Sequence, residues 1–302
     1  MKFVTFEADG KVSIGILSAD QKYVIPLQAA EQGCCNSATL PDTMLELIEQ
    51  GDAAVKIVQT ILERADSSCP KLALDEVRLL APIPRPRKNI FCIGKNYVEH
   101  ALEVDKTGDV SAAVPKVPVV FSKPPTCVIG TGAIVKNHKQ MTSKIDYEVE
   151  LAVIVGKTAS QAAKDKAYDY VFGYTIMNDI SARDLQKAHG QWLMGKSPDT
   201  FAPLGPCIVH KNAIPAPHNL SIKSMINGEI RQNANTKDMV FDIPALIAAI
   251  SSIITLEPGD IIATGTPAGV GAGFNPPRFL QPGDEMRLEI ENIGILVNTL
   301  EK

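Results

Sequence analysis

The sequence predicts a β-rich α+β fold: a mixed β-roll or β-sandwich catalytic domain preceded by a small α/β N-terminal domain. Three observations point there. Short β-branched segments recur from residue 90 to the C-terminus, helical spacing is confined to a few stretches, and strands do not alternate strictly with helices. The last of these disfavours a doubly wound nucleotide fold. A chain of 302 residues suits one large domain or two modest ones.

The first 30 residues read as short strands. MKFVTFEADGKVSIGIL alternates and is broken at Asp9-Gly10, and QKYVIPL follows. A polar, cysteine-containing loop leads to Pro41-Asp42. From Thr43 to about Ala65, Met44, Leu47, Ile48, Val55, Val58 and Leu62 recur at helical spacing, with Gly51 separating two helices. Pro82, Pro84 and Pro86 then mark an extended connector. The domain junction is placed just before it, giving an N-terminal domain 1–75 and a catalytic domain 76–302. Beyond the connector, NIFCIG, PVVFSK, YEVELAVIV, YVFGYTIMND, GPCIVHK, SIKSMING, DIIATG and EMRLEIENIGILVNTL read as strands. Helices are expected over 96–103, 161–168, 182–189 and 243–254.

Composition excludes several function classes. Charged residues make up 21% and hydrophobic ones 45%, with a net charge of −4, which lacks the concentrated positive field a nucleic-acid partner needs. The longest apolar run, Leu246 to Leu256, falls short of the roughly 18 residues of a membrane span. The start MKFVTFEADGK has no apolar signal core, so the expected location is the cytoplasm. The six cysteines form no CxxC pair, and the five histidines form no HExxH motif. Any metal must therefore rely mainly on oxygen ligands.

DYEVELAVIVG (146–156) carries the sharpest chemical signal. Residues two apart share a strand face, so Glu148 and Glu150 point with Ala152 and Ile154, while Val149, Leu151, Val153 and Val155 take the other face. An ExE pair alone fits a solvated strand end. The long apolar continuation instead makes two buried carboxylates, which need positive compensation. Asp179 ends another strand, in TIMNDISARDLQ, where helix capping is the alternative role. Three hard oxygen donors suit Mg²⁺ or Mn²⁺. Arg183, Gln186 and Lys196 are candidates for a surrounding polar shell, with a solvated helix face as the alternative.

In GKNYVEHALE, His100 and Glu103 stand at i, i+3 and can touch, forming a candidate general base, although HxxE alone is a weak motif. The following small, polar segment VDKTGDVSAAVPKV is a candidate lid over the site, or a surface loop. In GDIIATGTPAGVGAG no helix follows the glycines and Asn275-Pro276-Pro277 breaks the chain, so a dinucleotide site is ruled out. A tight loop presenting backbone and threonine hydroxyls to a small ligand, or a turn-rich connection, remains.

Taken in order, IGKNYVEHALE, VVFSKPPT, DYEVELAVIVGK, FGYTIMNDISARDLQ, GKSPDTFAPLGP and GDIIATGTPAGVG resemble the fumarylacetoacetate hydrolase family over roughly residues 80–302. The layout is similar to a bacterial acylpyruvate hydrolase and oxaloacetate decarboxylase-like subgroup with an N-terminal extension. The resemblance implies a mixed β-roll, a homodimer, and Mg²⁺ or Mn²⁺ on Glu148, Glu150 and Asp179. It implies a catalytic dyad of His100 and Glu103 on a helix that orders over ligand, Lys196 as a further catalytic group, and Arg183, Gln186 and Thr266 as substrate contacts. Pro198 and Ala202 depart from the family's usual phenylalanine and cysteine, which bears on pocket shape near Lys196. The expected activity is metal-dependent C–C bond cleavage in a small 2-oxo acid, by acylpyruvate-type hydrolysis or oxaloacetate decarboxylation. The alternatives are a 2-hydroxyhepta-2,4-diene-1,7-dioate-type isomerase and a non-catalytic metal-binding protein acting through partners.

Overall fold

The computed structural model of the chain describes residues 1–64, 69–105 and 109–302. It begins with β1 (Lys2–Ala8) and β2 (Lys11–Leu17), an antiparallel hairpin turning at Asp9 and Gly10. Both turn residues have positive φ, 49° and 74°, as a primed two-residue turn requires. β3 (Tyr23–Pro26) pairs with β2.

The segment expected to be a polar loop contains α1 (Leu27–Cys35). Tertiary packing overrides its polarity. Leu27 and Ala30 are fully buried, and the buried Glu31 carboxylate accepts from the Ser37 and Thr39 hydroxyls and from the Thr39 and Leu40 amides. One side chain thus fastens the helix to the turn that follows. α2 (Met44–Gln50) and α3 (Asp52–Arg64) flank Gly51 as the spacing predicts, and Gly51 (φ 56°) donates its amide to Leu47 and Ile48.

Short strands β4 (Leu72–Ala73) and β5 (Arg78–Leu79) precede β6 (Ile90–Gly94), α4 (Val98–Asp105), α5 (Val110–Ala113) and β7 (Val119–Lys123). Next come β8 (Val128–Ile129), β9 (Ile134–Val135), β10 (Ile145–Asp146), β11 (Val149–Val155), β12 (Val171–Asn178) and β13 (Ser181–Ala182). α6 (Arg183–Ala188), α7 (Leu193–Lys196), β14 (Ala202–His210), β15 (Ser221–Ile226), β16 (Glu229–Asn235) and α8 (Ile243–Ser251) follow. β17 (Ile261–Ala263), β18 (Glu285–Ile290) and β19 (Gly294–Leu300) complete the chain.

The largest sheet runs β4-β3-β2-β1-β14-β12-β11-β17-β6-β7, with β5 on β1 and β8 on β14. The N-terminal strands therefore continue the sheet that carries β11 and β12. A second sheet runs β16-β15-β18-β19-β9, and β10 pairs with β13. The architecture is mixed and β-rich, with several sheets.

Every residue of β11 and β12 is buried. Odd-numbered β11 residues, Val149 to Val155, join an apolar cluster with α8 (Ile243, Leu246, Ile247, Ile250) and the second sheet (Ile222, Leu288, Leu296). Even-numbered Ala152 and Ile154 pack with Ala263, Cys92 and the N-terminal helices (Leu47, Ile48, Val58). Each large aliphatic buried this way stabilises the fold by about 1.5–3 kcal/mol. The two-sided burial explains a strand almost without polar alternation.

Several boundaries differ from the sequence expectation. Residues 164–170 form a 3₁₀ segment rather than the α-helix expected over 161–168, and of these only Ala167 is buried, so no apolar stripe selects the wider helix. The helix expected from residue 96 starts at Val98, because the Asn96 side chain donates to the Phe241 and Thr264 carbonyls. EMRLEIENIGILVNTL is a hairpin, turning at Asn292 (φ 64°). β16 carries no strand pattern in the sequence, because EIRQNAN is polar and pairs with β15 through the Asn227-Gly228 turn.

Candidate active site

Glu148 immediately precedes β11 and Glu150 is its second residue, on the face that continues into Ala152 and Ile154. β12 runs antiparallel beside it with Val149 opposite Asn178, so Asp179, the next residue, reaches the same end. The Asp179 amide donates to the Glu148 carbonyl at 2.9 Å, and the Asn178 side chain accepts from the Glu148 amide at 3.0 Å. Asp179 does not cap α6, whose N-cap is Ala182 without a side-chain bond. Glu148, Glu150 and Asp179 are 4%, 1% and 0% exposed, and one carboxylate oxygen from each lies within 4.8 Å of the others.

Three cations meet this cluster. Lys196 Nζ stands 2.6 Å from Glu148 Oε2 and 2.7 Å from Asp179 Oδ2. Lys123 Nζ is 2.7 Å from Asp179 Oδ1 and donates to the Ile180 carbonyl at 2.9 Å. Arg183 donates through Nη2 to Glu148 Oε1 (2.6 Å), through Nε to Asp146 Oδ2 (2.8 Å) and through Nη1 to Gln186 Oε1 (3.1 Å). Asp146 in turn accepts from the Gly271 and Ala272 amides. Four carboxylates thus face three cations.

The imbalance falls on Glu150. Burial, then the charges of Asp179 and Glu148, push its pKa well above the usual carboxylate range. Among the described residues no cation pairs with it, and its one protein hydrogen bond comes from the Gly265 amide at 2.9 Å. For Glu148, burial also favours the neutral form, but Lys196 and Arg183 outweigh it and hold the pKa at about 2. Burial would likewise depress the Lys196 pKa, yet Asp179 and Glu148 raise it overall. A set of hard oxygen donors with one negative charge unmet suits a small divalent cation, so these residues fit the expected metal.

The second chemical group is carried by α4. His100 Nδ1 lies 2.9 Å from Glu103 Oε1, and the Gly269 amide donates to Glu103 Oε2 at 3.0 Å. The loop after β17 therefore touches both parts of the site, with Gly265 on Glu150 and Gly269 on Glu103. Thr266 fastens this loop, donating to the Val149 carbonyl and accepting from Gln232 Nε2. A Cβ at residue 273 would overlap the Glu103 carboxylate, which accounts for the glycine there.

A cavity of about 270 Å³ joins these parts, lined by His100, Glu148, Glu150, Arg183, Gln186, Lys196 and Thr266, with an apolar side of Ile93, Gly94, Val104, Phe121 and Trp192. Glu103 and Asp179 stand behind this lining. All nine residues singled out from the sequence therefore gather at one place. Neither Pro198 nor Ala202 is among the lining residues. The candidate lid, residues 104–117, takes in the last two residues of α4 and all of α5, but residues 106–108 lie outside the described residues.

Sequence reasoning missed Lys123, Asp146, Gln232 and Trp192. Asp146 was within reach, since it shares the parity of Glu148 in the same segment. Lys123 carries no such signal: it ends an apolar strand, and only the β6–β7 pairing and the β12 end reveal its partner.

Comparison with known proteins bears on this site. The fumarylacetoacetate (FAA) hydrolase C-terminal family profile matches residues 89–301. The chain is 47% identical to oxaloacetate tautomerase YisK of Bacillus subtilis (strain 168), over 99% of this chain and 100% of that protein. Among solved structures it is similar to a fumarylacetoacetate hydrolase from psychrophilic Exiguobacterium antarcticum, with TM-score 0.82 and 39% identity over 100% of this chain and 99% of that one. It is also similar to maleylpyruvate hydrolase from Sphingobium sp. SYK-6, solved with manganese(II) and pyruvate, with TM-score 0.76 and 29% identity over 100% and 99% of the two chains.

Proposed function

The chain belongs to the fumarylacetoacetate hydrolase family, and we propose that it is a tautomerase that interconverts the keto and enol forms of oxaloacetate or a closely related 2-oxo dicarboxylate. The observation that carries this reading is that one cavity holds both a proton carrier, His100 oriented by Glu103, and beside Lys196 a buried carboxylate cluster that would hold a divalent cation for an enolate oxygen. The name of the 47% identical relative favours tautomerisation over bond cleavage. The protein is proposed to act in the cytoplasm as a homodimer.

Glu148, Glu150 and Asp179 would hold Mg²⁺ or Mn²⁺, which when bound supplies positive charge for the oxygen atoms of a 2-oxo acid. Lys196 and Arg183 orient the substrate by its anionic end, and Gln186 adds a polar contact. With Nδ1–H donated to Glu103, the neutral His100 ring leaves Nε2 as a base. Nε2 takes a proton from C3, the C–H electron pair becomes the C2–C3 double bond, and the carbonyl pair moves to O2. Lys196 stabilises the charge on O2. His100 then gives the proton held on Nε2 to O2, which completes the enol and restores the neutral ring, and the reverse sequence gives the keto form. No water attacks, so the residues need only hold the substrate and move one proton.

A second reading is hydrolysis or decarboxylation at a C–C bond, since the same enolate charge develops and a neighbour of similar fold is a maleylpyruvate hydrolase. The deciding experiment presents freshly dissolved enol oxaloacetate to the Mn²⁺-loaded protein. Ultraviolet loss of the enol, keto product and pyruvate are followed together against metal-only background. Faster enol loss with keto oxaloacetate as product supports the tautomerase. Pyruvate appearing in step with enol loss would establish cleavage instead, and no acceleration of either would overturn both.

A further inference from the structure

The cavity has one aromatic wall whose position is set by a glycine. Trp192, the chain's single tryptophan, lies close enough to the β6 backbone that a Cβ at Gly94 would overlap its ring. Gly94 has no positive φ, so the glycine here provides space rather than backbone freedom. The Trp192 ring also meets Phe121 edge-on, 5.3 Å between centroids at 70°. The Phe121 face carries Lys196 Nζ at 5.0 Å from its centroid.

Trp192 and Lys196 belong to one short turn. The Lys196 amide donates to the Trp192 carbonyl at 3.0 Å, so about one helical turn separates the ring from the ammonium group. Gly195 packs the same turn against the Gln186 backbone so closely that a Cβ there would collide. Lys196 points to the carboxylate floor, and Trp192 shares the lining with Ile93, Gly94 and Val104, to which Lys95 and Lys187 add two further cationic groups. A ligand that places its oxo and carboxylate oxygens on the charged floor sends the rest of its carbon chain past this ring.

We infer that Trp192 determines substrate size. Its ring, seated on Gly94, admits 2-oxo acids with a short carbon chain and excludes those bearing a bulky group at C3 or C4. This rests on the reading of the cavity floor as a 2-oxo acid site. Trp192 also belongs to the turn that carries Lys196, so the wall and the cation are held by one hydrogen-bonded turn.

The test uses the full-length, Mn²⁺-loaded protein and two probes, oxalate and phenylpyruvate, titrated calorimetrically into wild type, Trp192→Phe, Trp192→Ala and Gly94→Ala. Turnover of oxaloacetate is recorded in parallel. The expected result is a preference for oxalate over phenylpyruvate that falls at least about tenfold in Trp192→Ala and by less in Trp192→Phe. Gly94→Ala, which dislodges the ring without removing it, also changes the preference. In wild type, oxalate should alter the intrinsic fluorescence, because the sole tryptophan lines the cavity. An unchanged preference in both tryptophan variants, with oxalate still bound, would overturn the inference. Wild type that binds oxalate but does not accelerate oxaloacetate tautomerisation would overturn the proposed function and leave the probe preference to decide the wall. Wild type that binds neither probe would overturn both.

Discussion

Lys123 Nζ lies 2.7 Å from Asp179 Oδ1, and neither side chain is exposed at all. The lysine ends β7 and the aspartate follows β12, so this contact joins two strands that are not neighbours in the sheet. Removing one partner of a buried pair typically costs about 3–5 kcal/mol when the other charge is left without compensation, and here Lys196, 2.7 Å from Asp179 Oδ2, offsets part of that cost. Lys123→Met is expected to lower urea-unfolding stability by that order, with Lys123→Met/Asp179→Asn recovering part of the loss. A loss in the double variant equal to the sum of the Lys123→Met and Asp179→Asn losses would show that the pair itself contributes nothing.

Glu150 separates metal binding from stability. Its carboxylate is crowded by Asp179 and Glu148, and its pKa is raised first by burial. Glu150→Gln is expected to raise the melting temperature of metal-free protein while weakening Mn²⁺ binding at least about tenfold. A calorimetric Mn²⁺ titration beside a thermal melt reads both. Unchanged Mn²⁺ affinity would remove Glu150 from the ligand set.

The dyad predicts a split between turnover and binding. His100→Gln is expected to lower kcat for oxaloacetate tautomerisation by about 10²-fold or more, within the usual range for general acid–base groups, with a smaller effect on KM. Glu103→Gln is expected to lower kcat less, and its loss of the charge facing Gly269 should loosen the loop that also holds Glu150. Steady-state kinetics over enol concentration checks both.

His210, in β14 and remote from the acidic cluster, predicts a pH effect on stability. Burial, then the Met1 amino group and Lys211, depress its pKa to about 4, against an ordinary value of 6.5, while Asp52 acts in the opposite direction. Its ring packs edge-on against Phe172 and accepts from the Asn212 amide. The unfolded chain binds more protons at this residue between those two values, so stability is full above pH 6.5 and falls as pH drops toward 4. His210→Gln is expected to reduce that slope in acid denaturation. An identical slope would assign the acid limb to other groups.

The division proposed at residue 75 can be tested by truncation. β1 pairs with β14, and Phe3 packs on Phe172 at 5.5 Å between centroids. A chain of residues 76–302 would leave β14 unpaired at Ile208 and Val209, where β1 now lies, and expose Phe172, Ile208 and Leu204, which pack in the cluster shared with the N-terminal helices. It is expected to fold less stably and to aggregate, since an uncovered edge strand is a template for pairing. A soluble fragment with the full-length melting temperature would show that the N-terminal segment is dispensable for folding.

The legibility of the site differed from residue to residue for physical reasons. Glu148 and Glu150 were readable because strand parity is local, and His100 with Glu103 because helical spacing is local. Asp179 was readable as a residue type at a strand end, although capping competed with it. Lys123, Gln232 and Trp192 were not, because each acquires its role across distant elements: Lys123 from the end of β12, Gln232 from the loop after β17, and Trp192 from β6. The same logic holds for the fold. Periodic α2 and α3 were plain, whereas α1 and β16 are polar segments whose structure comes from docking and pairing rather than from their own pattern.

The alternation along β11 has a consequence for quality control. A slip of one residue in its pairing would turn Glu148 and Glu150 toward Ile243, Leu246 and the second sheet, and move the valines into the cavity. Such a chain could retain much of its strand content while losing every acidic ligand on that strand. If the proposed site binds Mn²⁺, metal binding would report on correct strand assembly, and a sample's Mn²⁺ stoichiometry would measure the fraction of molecules in native register.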